Sequence, residues 1–298
     1  MNIQNKVNQL FESQLLNWDL ARRNFSDLNS VRTKTVDFDN FSVQIQFNPA
    51  RMVSSGAKLD AKTLANRKCF LCASNRPVEQ QGVEFGDYTI LVNPFPIFPK
   101  HFTIPRNEHV AQAIQPYFND MLHLAQSLPE LIVFYNGPKC GASAPDHMHF
   151  QAGSNGFLPL LGDYQRLKIS FEGFGAVPVG IELFTIPNYL RTVFCVESFS
   201  VEASVEMFEI IYNQLQHGEE EPMMNVVCSY QGDKWYTFIL PRGQFRPWQY
   251  TAEASSQLLV SPATVEMCGV FIVPILAHFE RINRSDVKDI LTQSTLKF

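Results

Sequence analysis

The chain has 298 residues, of which 45% are hydrophobic and 18% charged, so its composition is that of a globular protein and excludes a disordered one. The net charge is −5 and no domain-sized stretch is basic, which argues against a nucleic-acid-binding protein. No apolar run reaches the roughly 18 residues that a membrane span needs, and residues 1–16 lack the pattern of a signal peptide. We therefore expect a cytoplasmic protein that binds neither membranes nor nucleic acid. Of its six cysteines, we expect the four that are scattered singly to be reduced core residues, namely Cys140, Cys195, Cys228 and Cys268.

The beginning of the chain predicts a helix followed by a strand. Residues 1–16 carry apolar side chains such as Val7 and Leu10 at helical spacing. Residues 41–47 alternate between apolar and polar side chains, which is typical of a half-buried strand. A polar stretch at residues 54–60 then separates this strand from a pair of cysteines.

The middle of the chain predicts the same order of elements twice, namely two strands, a helix and two further strands. The first unit has strands at 88–92 and 102–104, a helix at 117–128, and strands at 131–135 and 147–151. The second has strands at 181–186 and 193–196, a helix at 201–215, and strands at 224–229 and 235–240. The sequence thus predicts an α+β fold with two topologically similar halves, at residues 1–165 and 166–298, built from antiparallel sheets and packed helices.

One segment of the first unit places polar side chains where a buried strand would exclude them. Within residues 136–151, NGPKCGASAPDHMHFQ, the side chains of His147, His149 and Gln151 alternate, so a strand would carry all three on one face. A bare His-x-His pair is more often structural, but Gln151, Ser143 and the glycine-containing turn favour a functional role. Such a turn can offer N–H groups to an anion, and a nucleophile beside an anion site is what phosphoryl-group chemistry requires.

This segment resembles the active-site motif of one branch of the histidine-triad superfamily. That branch contains galactose-1-phosphate uridylyltransferase, diadenosine tetraphosphate phosphorylase, and the ADP-glucose and GDP-hexose phosphorylases, and it carries His-x-His-x-Gln where the hydrolases have a third histidine. The resemblance implies that His149 attacks the α-phosphorus and holds a nucleoside monophosphate covalently, while Gln151 hydrogen-bonds the phosphate. It also implies a duplicated histidine-triad fold. The second unit has no histidine in its matching strand, so only the first half is predicted to be catalytic.

The pair Cys69 and Cys72 has the spacing of either a redox site or a metal site, although buried structural cysteines remain an alternative. A redox pair is typical of a thioredoxin-like context, which the sequence does not show, and a zinc site needs two further ligands. The uridylyltransferases bind structural zinc with such a pair, a later histidine and the first histidine of the active motif. The resemblance therefore implies a structural Zn²⁺ site at Cys69, Cys72, His109 and His147.

Further positions are predicted to contact substrate. The resemblance places Asn93 against a ribose and Phe95 near a base, although the same residues suit a proline-rich turn with a buried aromatic side chain. Residues 261–269 resemble a segment of the plant-type GDP-hexose phosphorylases, and Glu266 is the residue there that we expect to reach substrate. The other candidates for substrate or phosphate contacts are Asn136, Ser143, Lys139 and Arg242.

These motifs predict a nucleotidyltransferase or phosphorylase that works through a covalent nucleotidyl–histidine intermediate. The donor would be a nucleoside diphosphate sugar or a dinucleoside polyphosphate, and the acceptor phosphate or a sugar phosphate. Gln151 cannot serve as a general acid for a poor leaving group, which favours transfer over hydrolysis. The open alternatives are a galactose-1-phosphate uridylyltransferase or ATP adenylyltransferase proper, a catalytically inactive zinc-stabilised nucleotide-binding protein, and a structural protein; a homodimer is a further expectation.

Overall fold

The computed structural model describes residues 2–52, 63, 66–218, 220–253 and 256–297. The polar stretch predicted at residues 54–60 lies outside the described residues. The rest of the chain forms an α+β architecture in which helices and a small sheet cover the two faces of one large sheet.

Some of the helices begin at a residue whose side chain accepts a hydrogen bond from a free backbone N–H group. Asn2 accepts a hydrogen bond from the N–H of Asn5 at the start of the first helix, and Ser200 does the same for Ala203 at the start of the fifth. The helices are α1 (Ile3–Asn17), α2 (Asp19–Leu28), α3 (Phe118–Ser127), α4 (Pro159–Leu167), α5 (Val201–Leu215), α6 (Trp248–Thr251), α7 (Thr264–Met267), α8 (Leu276–Arg281) and α9 (Arg284–Ser294).

The strands are short, and those in the middle of the large sheet are buried on both faces. The sequence of β6, LIVFYN, is buried at every position, so a continuous apolar run rather than an alternating one marks a central strand here. The strands are β1 (Arg32–Asp37), β2 (Ser42–Phe47), β3 (Gly82–Phe85), β4 (Tyr88–Val92), β5 (His101–Pro105), β6 (Leu131–Asn136), β7 (His149–Ser154), β8 (Ile169–Ser170), β9 (Ile181–Thr185), β10 (Phe194–Ser198), β11 (Met224–Gln231), β12 (Lys234–Pro241) and β13 (Val270–Val273).

Ten strands of the described residues form the large sheet, in the order β3-β4-β5-β7-β6-β11-β12-β10-β9-β8. Every pair in it is antiparallel, and the order is symmetrical about the central β6–β11 pair. The predicted α+β class with two topologically similar halves is therefore confirmed. The predicted boundary at residue 165 lies within α4, and that division of the chain stays a prediction.

A small sheet, β1-β2-β13, lies against one face of the large sheet. Its β2–β13 pair is parallel, whereas the sequence predicted only antiparallel pairing, and it joins an early segment of the chain to a late one. The helices α1, α2, α3 and α5 form the apolar core on the other face, where the rings of Phe118 and Phe208 stack with their centroids 4.0 Å apart. None of the helices in the described part of the chain has both the length and the apolar character that a membrane crossing requires.

Candidate active site and metal cluster

A cavity of about 510 Å³ lies on the face of the large sheet that also carries the small sheet. Its floor comes from β4, β5, β7 and β6, whose residues Leu91, Thr103, Gln151 and Phe134 are successive cross-strand partners. Its far wall comes from the start of α7 and from β13, and its mouth includes apolar residues of the N-terminal segment and of the cysteine pair. A volume of this size is typical of a small-molecule site.

His149 lines this cavity as the first residue of β7. Its Nδ1 lies 2.8 Å from the carbonyl oxygen of His147. Because a carbonyl can only accept, Nδ1 carries the proton and Nε2 keeps an unprotonated lone pair. Burial lowers the pKa of His149 to about 4, although the bond to the His147 carbonyl acts in the opposite direction. The side chain is therefore neutral near pH 7, which is the state that a nucleophile needs.

Gln112 fixes the backbone around His149, and nothing in the sequence pattern marked it. The regular ladder between β6 and β7 ends at Phe134 and Gln151, so the next residues lack strand partners across this pair. The buried side chain of Gln112 fills the gap. Its Oε1 accepts the N–H of His149 at 2.8 Å, and its Nε2 donates to the carbonyls of Asn136 and His149, each at 3.0 Å. Gln112 does not line the cavity, and its contacts hold the backbone of His149 in place.

His101, for which the sequence predicted no catalytic role, sets the orientation of Gln151. The Nδ1 of His101 accepts the N–H of Ile97 at 3.1 Å, so Nε2 carries the proton and donates to Gln151 Oε1 at 3.1 Å. Burial lowers the pKa of His101 to about 3, and the positive charge of Arg51 contributes, so the ring stays neutral. With its oxygen engaged, Gln151 has its NH₂ group left for an anion in the cavity.

The predicted substrate residues fall into two groups. Asn93, Phe95, Asn136, Ser143 and Glu266 all line the cavity together with His149 and Gln151. Two others do not: Lys139 is exposed and pairs with Glu220, and Arg242 is buried and donates to Asn225.

Asn93 and Phe95 form the proline-rich turn that is the alternative interpretation of this segment. Asn93 donates to the hydroxyl of Thr103 at 3.1 Å, and its Oδ1 accepts the N–H of Phe95 at 2.9 Å. An asparagine that bonds the backbone two residues later is a typical turn former. The predicted contacts of Asn93 with ribose and of Phe95 with a base stay predictions.

Two arginines that the sequence analysis did not identify also line the cavity. Arg67 donates to the carbonyl of Ser143 at 3.1 Å and to Asp146 at 2.7 Å, and so holds the loop before β7. Arg51 donates to the carbonyl of Phe95 at 2.7 Å, and burial lowers its pKa to about 10, which leaves it charged. Both guanidinium groups give the cavity positive character suited to phosphates.

Glu266 brings a carboxylate into the same cavity. Its Oε2 accepts the N–H of Ala263 at 2.9 Å, and burial raises its pKa above the ordinary value. A carboxylate repels phosphate but accepts hydrogen bonds from hydroxyl groups. Glu266 also interacts electrostatically with Arg51, so this end of the cavity offers both an acceptor for hydroxyl groups and a positive charge.

The glycine-containing loop before β7 reaches the start of α7 only because residue 141 is glycine. Gly141 has φ +100°, and a Cβ at this position would lie 2.3 Å from the Cβ of Ala263. Any other residue would be strained by both the dihedral and the contact. Gly141 and Ala263 both line the cavity, so this close approach helps to close its wall.

The four predicted metal ligands converge beside the cavity. The ligand atoms of Cys69, Cys72, His109 and His147 all lie within 4.8 Å of one another. His147 Nδ1 is 3.3 Å from Cys69 Sγ and 3.6 Å from Cys72 Sγ, and His109 Nδ1 is 3.2 Å from Cys72 Sγ. Ligand bonds of about 2.0–2.3 Å in a tetrahedron space the ligand atoms roughly 3.5 Å apart, so this set can hold a metal ion.

His147 departs from the expectation that it shares a strand face with His149 and Gln151. The strand β7 begins at His149, and His147 precedes it and does not line the cavity. Its ring turns to the cysteines and bonds through Nε2 to the carbonyl of Arg106 at 2.7 Å. Because its own carbonyl orients His149, the cluster is coupled directly to the candidate nucleophile.

The chain is similar in fold to solved structures of a known protein. Crystal structures of yeast Ap4A phosphorylase Apa2 are similar to the chain: one has a TM-score of 0.64 at 16% identity and covers 99% of this chain and 98% of that chain. The Apa2 structure with AMP has a TM-score of 0.62 at 17% identity, with coverages of 99% and 97%, and the one with Ap4A has 0.57 at 17%, with 92% and 96%. The chain has the fold of this phosphorylase. The resemblance to the histidine-triad branch is thereby confirmed at the level of the fold.

Sequence comparison adds one match. Residues 10–154 match the family model of a domain of unknown function, DUF4922. This segment includes α3, β6, the metal cluster and the whole of β7. No curated protein matches the sequence.

Proposed function

We propose that the chain is a nucleotidyltransferase or phosphorylase in which His149 carries the nucleotide between donor and acceptor. The observation that supports this most is the state of His149, whose Nδ1 proton is directed to the His147 carbonyl and whose unprotonated Nε2 belongs to a cavity-lining side chain. The NH₂ group of Gln151 and the guanidinium groups of Arg51 and Arg67 are in the same cavity. A nucleophile and anion-binding groups are thus present together.

The reaction proceeds in two displacements. The Nε2 lone pair of His149 attacks the α-phosphorus of the donor, and the bond from that phosphorus to the bridging oxygen breaks. The leaving group departs with the bonding electrons, as a sugar phosphate from a nucleoside diphosphate sugar or as a nucleoside polyphosphate from a dinucleoside polyphosphate, and the nucleotide stays on His149. An oxygen of the acceptor then attacks the same phosphorus and releases Nε2. The His147 carbonyl stabilises the positive charge on the ring, and no general acid is needed because the leaving group is acidic.

The substrate we propose is a dinucleoside polyphosphate or a nucleoside diphosphate sugar, with phosphate or a sugar phosphate as acceptor. The structurally similar yeast protein is an Ap4A phosphorylase with structures in complex with AMP and with Ap4A, which supports a nucleotide donor. Glu266 supports a sugar at one end of the cavity, because a carboxylate favours hydroxyl groups there.

We further propose that the four-residue cluster holds a structural zinc ion. The two cysteines and two histidines are ligands that zinc prefers, and the ion would link the segment of Cys69 and Cys72 to His147. The ion supplies no step of the reaction in this proposal. The chain's own residues bind and orient the nucleotide, and His147 sets the direction of His149.

The proposal is tested by intact-mass measurement after incubation with ATP, Ap4A, and ADP-, GDP- and UDP-sugars separately. The wild-type protein is expected to gain the mass of one nucleoside monophosphate, and His149→Ala to gain none and to lose at least about 10³-fold in turnover. His278→Ala is the matched control, since His278 is a buried histidine that lies outside the cavity lining. Absence of both an adduct and phosphate-dependent turnover, in folded protein that binds AMP, would instead establish a nucleotide-binding protein.

A further inference from the structure

Asn136, the last residue of β6, has an amide whose orientation is determined by its neighbours. Its Oδ1 lies within hydrogen-bond distance of three donors: the N–H of Thr264 at 2.9 Å, the hydroxyl of Thr264 at 2.7 Å, and Nδ2 of Asn225 at 3.1 Å. The Thr264 hydroxyl also lies 2.9 Å from the carbonyl oxygen of Tyr135, and of these two acceptors for its single proton Asn136 Oδ1 is the nearer. Three donors on one atom leave the opposite orientation of the amide without comparable partners. All three residues are buried.

The consequence is that the NH₂ group of Asn136 is available to the cavity. Asn136 lines the cavity beside His149, and among the described residues no partner of its Nδ2 is found. Gln112 also ties the backbone carbonyl of Asn136 to the backbone of His149. The distance between the amide and the nucleophile is therefore held by both backbone and side-chain contacts, which is how a preorganised anion site is built.

The orientation of Asn225 is determined in turn by Arg242. Arg242 Nη1 donates to Asn225 Oδ1 at 2.6 Å, and a guanidinium group can only donate. The Nδ2 of Asn225 is thus left for Asn136 Oδ1 and for the carbonyl of Cys140, which it reaches at 2.8 Å. A directed series of hydrogen bonds runs from Arg242 through Asn225 to Asn136.

We propose that Thr264 and Asn225 are positioning residues for the transferred phosphate, because together they hold the NH₂ group of Asn136 towards it. Both lie in the half of the chain that has no candidate nucleophile, so the second half completes the site of the first. This inference rests on the proposed function of His149. It predicts that Thr264 affects the reaction only through Asn136.

A double-mutant cycle tests this directly. In the wild-type background, Thr264→Val removes the hydroxyl donor at nearly constant volume and is expected to lower the rate of nucleotidyl transfer about 10-fold, mainly in kcat. Thr264→Ser restores the donor and is expected to lose less than about 3-fold. Asn136→Ala is expected to lose about 10²-fold. In the Asn136→Ala background, Thr264→Val is expected to cause no further loss, and Asn225→Ala is run through the same cycle.

Thr237→Val is the matched control for stability. Thr237 is a buried threonine of β12 whose hydroxyl bonds Cys228, and it lies outside the cavity lining. It is expected to lower the melting temperature as much as Thr264→Val does while the kinetics stay at the wild-type values.

The dissociation constant of AMP, measured by calorimetry for the same variants, separates this inference from the proposed function. In the wild-type background, Thr264→Val is expected to weaken AMP binding about 3- to 10-fold. In the Asn136→Ala background, adding Thr264→Val is expected to weaken it no further. If the wild-type protein forms no adduct but this cycle is non-additive, the proposed reaction is wrong and the positioning role stands. Three results would overturn the inference. Thr264→Val could cause the same loss in the wild-type and Asn136→Ala backgrounds, it could leave both the transfer rate and AMP binding at the wild-type values, or the wild-type protein could fail to bind AMP.

Discussion

The two ends of the large sheet differ in chemistry although they match in topology. One row of cross-strand partners runs across both, with four residues on each side of its centre, and we call it the cross-sheet row. Its members are Leu91, Thr103, Gln151, Phe134, Val227, Phe238, Cys195 and Phe184. Gln151 and Phe238 occupy matching places, so an amide in the first half stands where the second half has a phenyl ring.

A helix covers the face of the sheet in the second half. In α4, Tyr164 packs edge-on against Phe238 with ring centroids 5.1 Å apart and donates to Glu197. A cavity of about 70 Å³ is left there, lined by Ser229, whose buried hydroxyl has no partner among the described residues. That volume is far below the size of a nucleotide site.

The comparison shows that the duplicated topology alone does not produce a site. The first half keeps a cavity over its face, polar residues on that face and the metal cluster. The second half fills its face and supplies buried hydrogen-bond partners to the first. A site requires space as well as side chains, and α4 removes the space from one end.

The largest difference between the halves is expected in metal binding. Cys69→Ser should reduce the zinc content from about one ion per chain to near zero and lower the free energy of unfolding by roughly 4 kcal/mol or more, since binding energy is folding energy at such a site. Cys195→Ser, in the cross-sheet row of the second half, should keep the metal and cost about 1–3 kcal/mol for a buried hydroxyl. Metal analysis and urea unfolding check both. A stable, metal-loaded Cys69→Ser protein would show that these four residues are only neighbours.

The next largest difference between the halves is expected when Gln151 and Phe238, which occupy matching positions in the cross-sheet row, are substituted. Gln151→Leu should lower nucleotidyl transfer about 10²-fold, because the proposed hydrogen-bond donor to the phosphate is lost, with little change in melting temperature. Phe238→Leu should leave the kinetics unchanged and cost about 1 kcal/mol of stability, because it affects packing only. Single-turnover rates and thermal unfolding distinguish the two variants. Loss of transfer in Phe238→Leu would mean that the second half acts directly in the reaction.

The smallest effect concerns the support of His149. Gln112→Leu should lower kcat about 10-fold with little change in KM, because Gln112 holds the catalytic strand without lining the cavity. Gln14→Leu is the matched control: Gln14 is also buried and bonds a backbone carbonyl and an N–H group, but it has no hydrogen bond to the strand of His149 and lies outside the cavity lining. The Gln14→Leu substitution should lower the free energy of unfolding and leave kcat and KM unchanged. Equal kinetic losses in the two variants would assign the effect to general destabilisation.

Local patterns in the sequence predicted much of the fold. The predicted strand at 88–92 and helix at 201–215 agree with β4 and α5 at both ends, because apolar periodicity and capping residues act over a few residues. The predicted strand at 147–151 instead begins at His149, because His147 turns away to the cysteines. That choice depends on partners 75 or more residues away in the chain, which no local pattern contains.

The sequence by itself determined the two matching units of strands and helix and the His-x-His-x-Gln motif, since both are a matter of residue type and spacing. The four residues of the metal cluster followed from the resemblance to the histidine-triad branch. The tertiary structure decided which side chains meet in the cavity. It brought Arg51 and Arg67 into the cavity lining, set Gln112 against the backbone of His149, and placed Lys139 and Arg242 outside the cavity lining. The physical reason is that an isolated polar residue in sequence gives no signal of its partners. Only the packing of the two halves shows which amides are held in place and which face is left open.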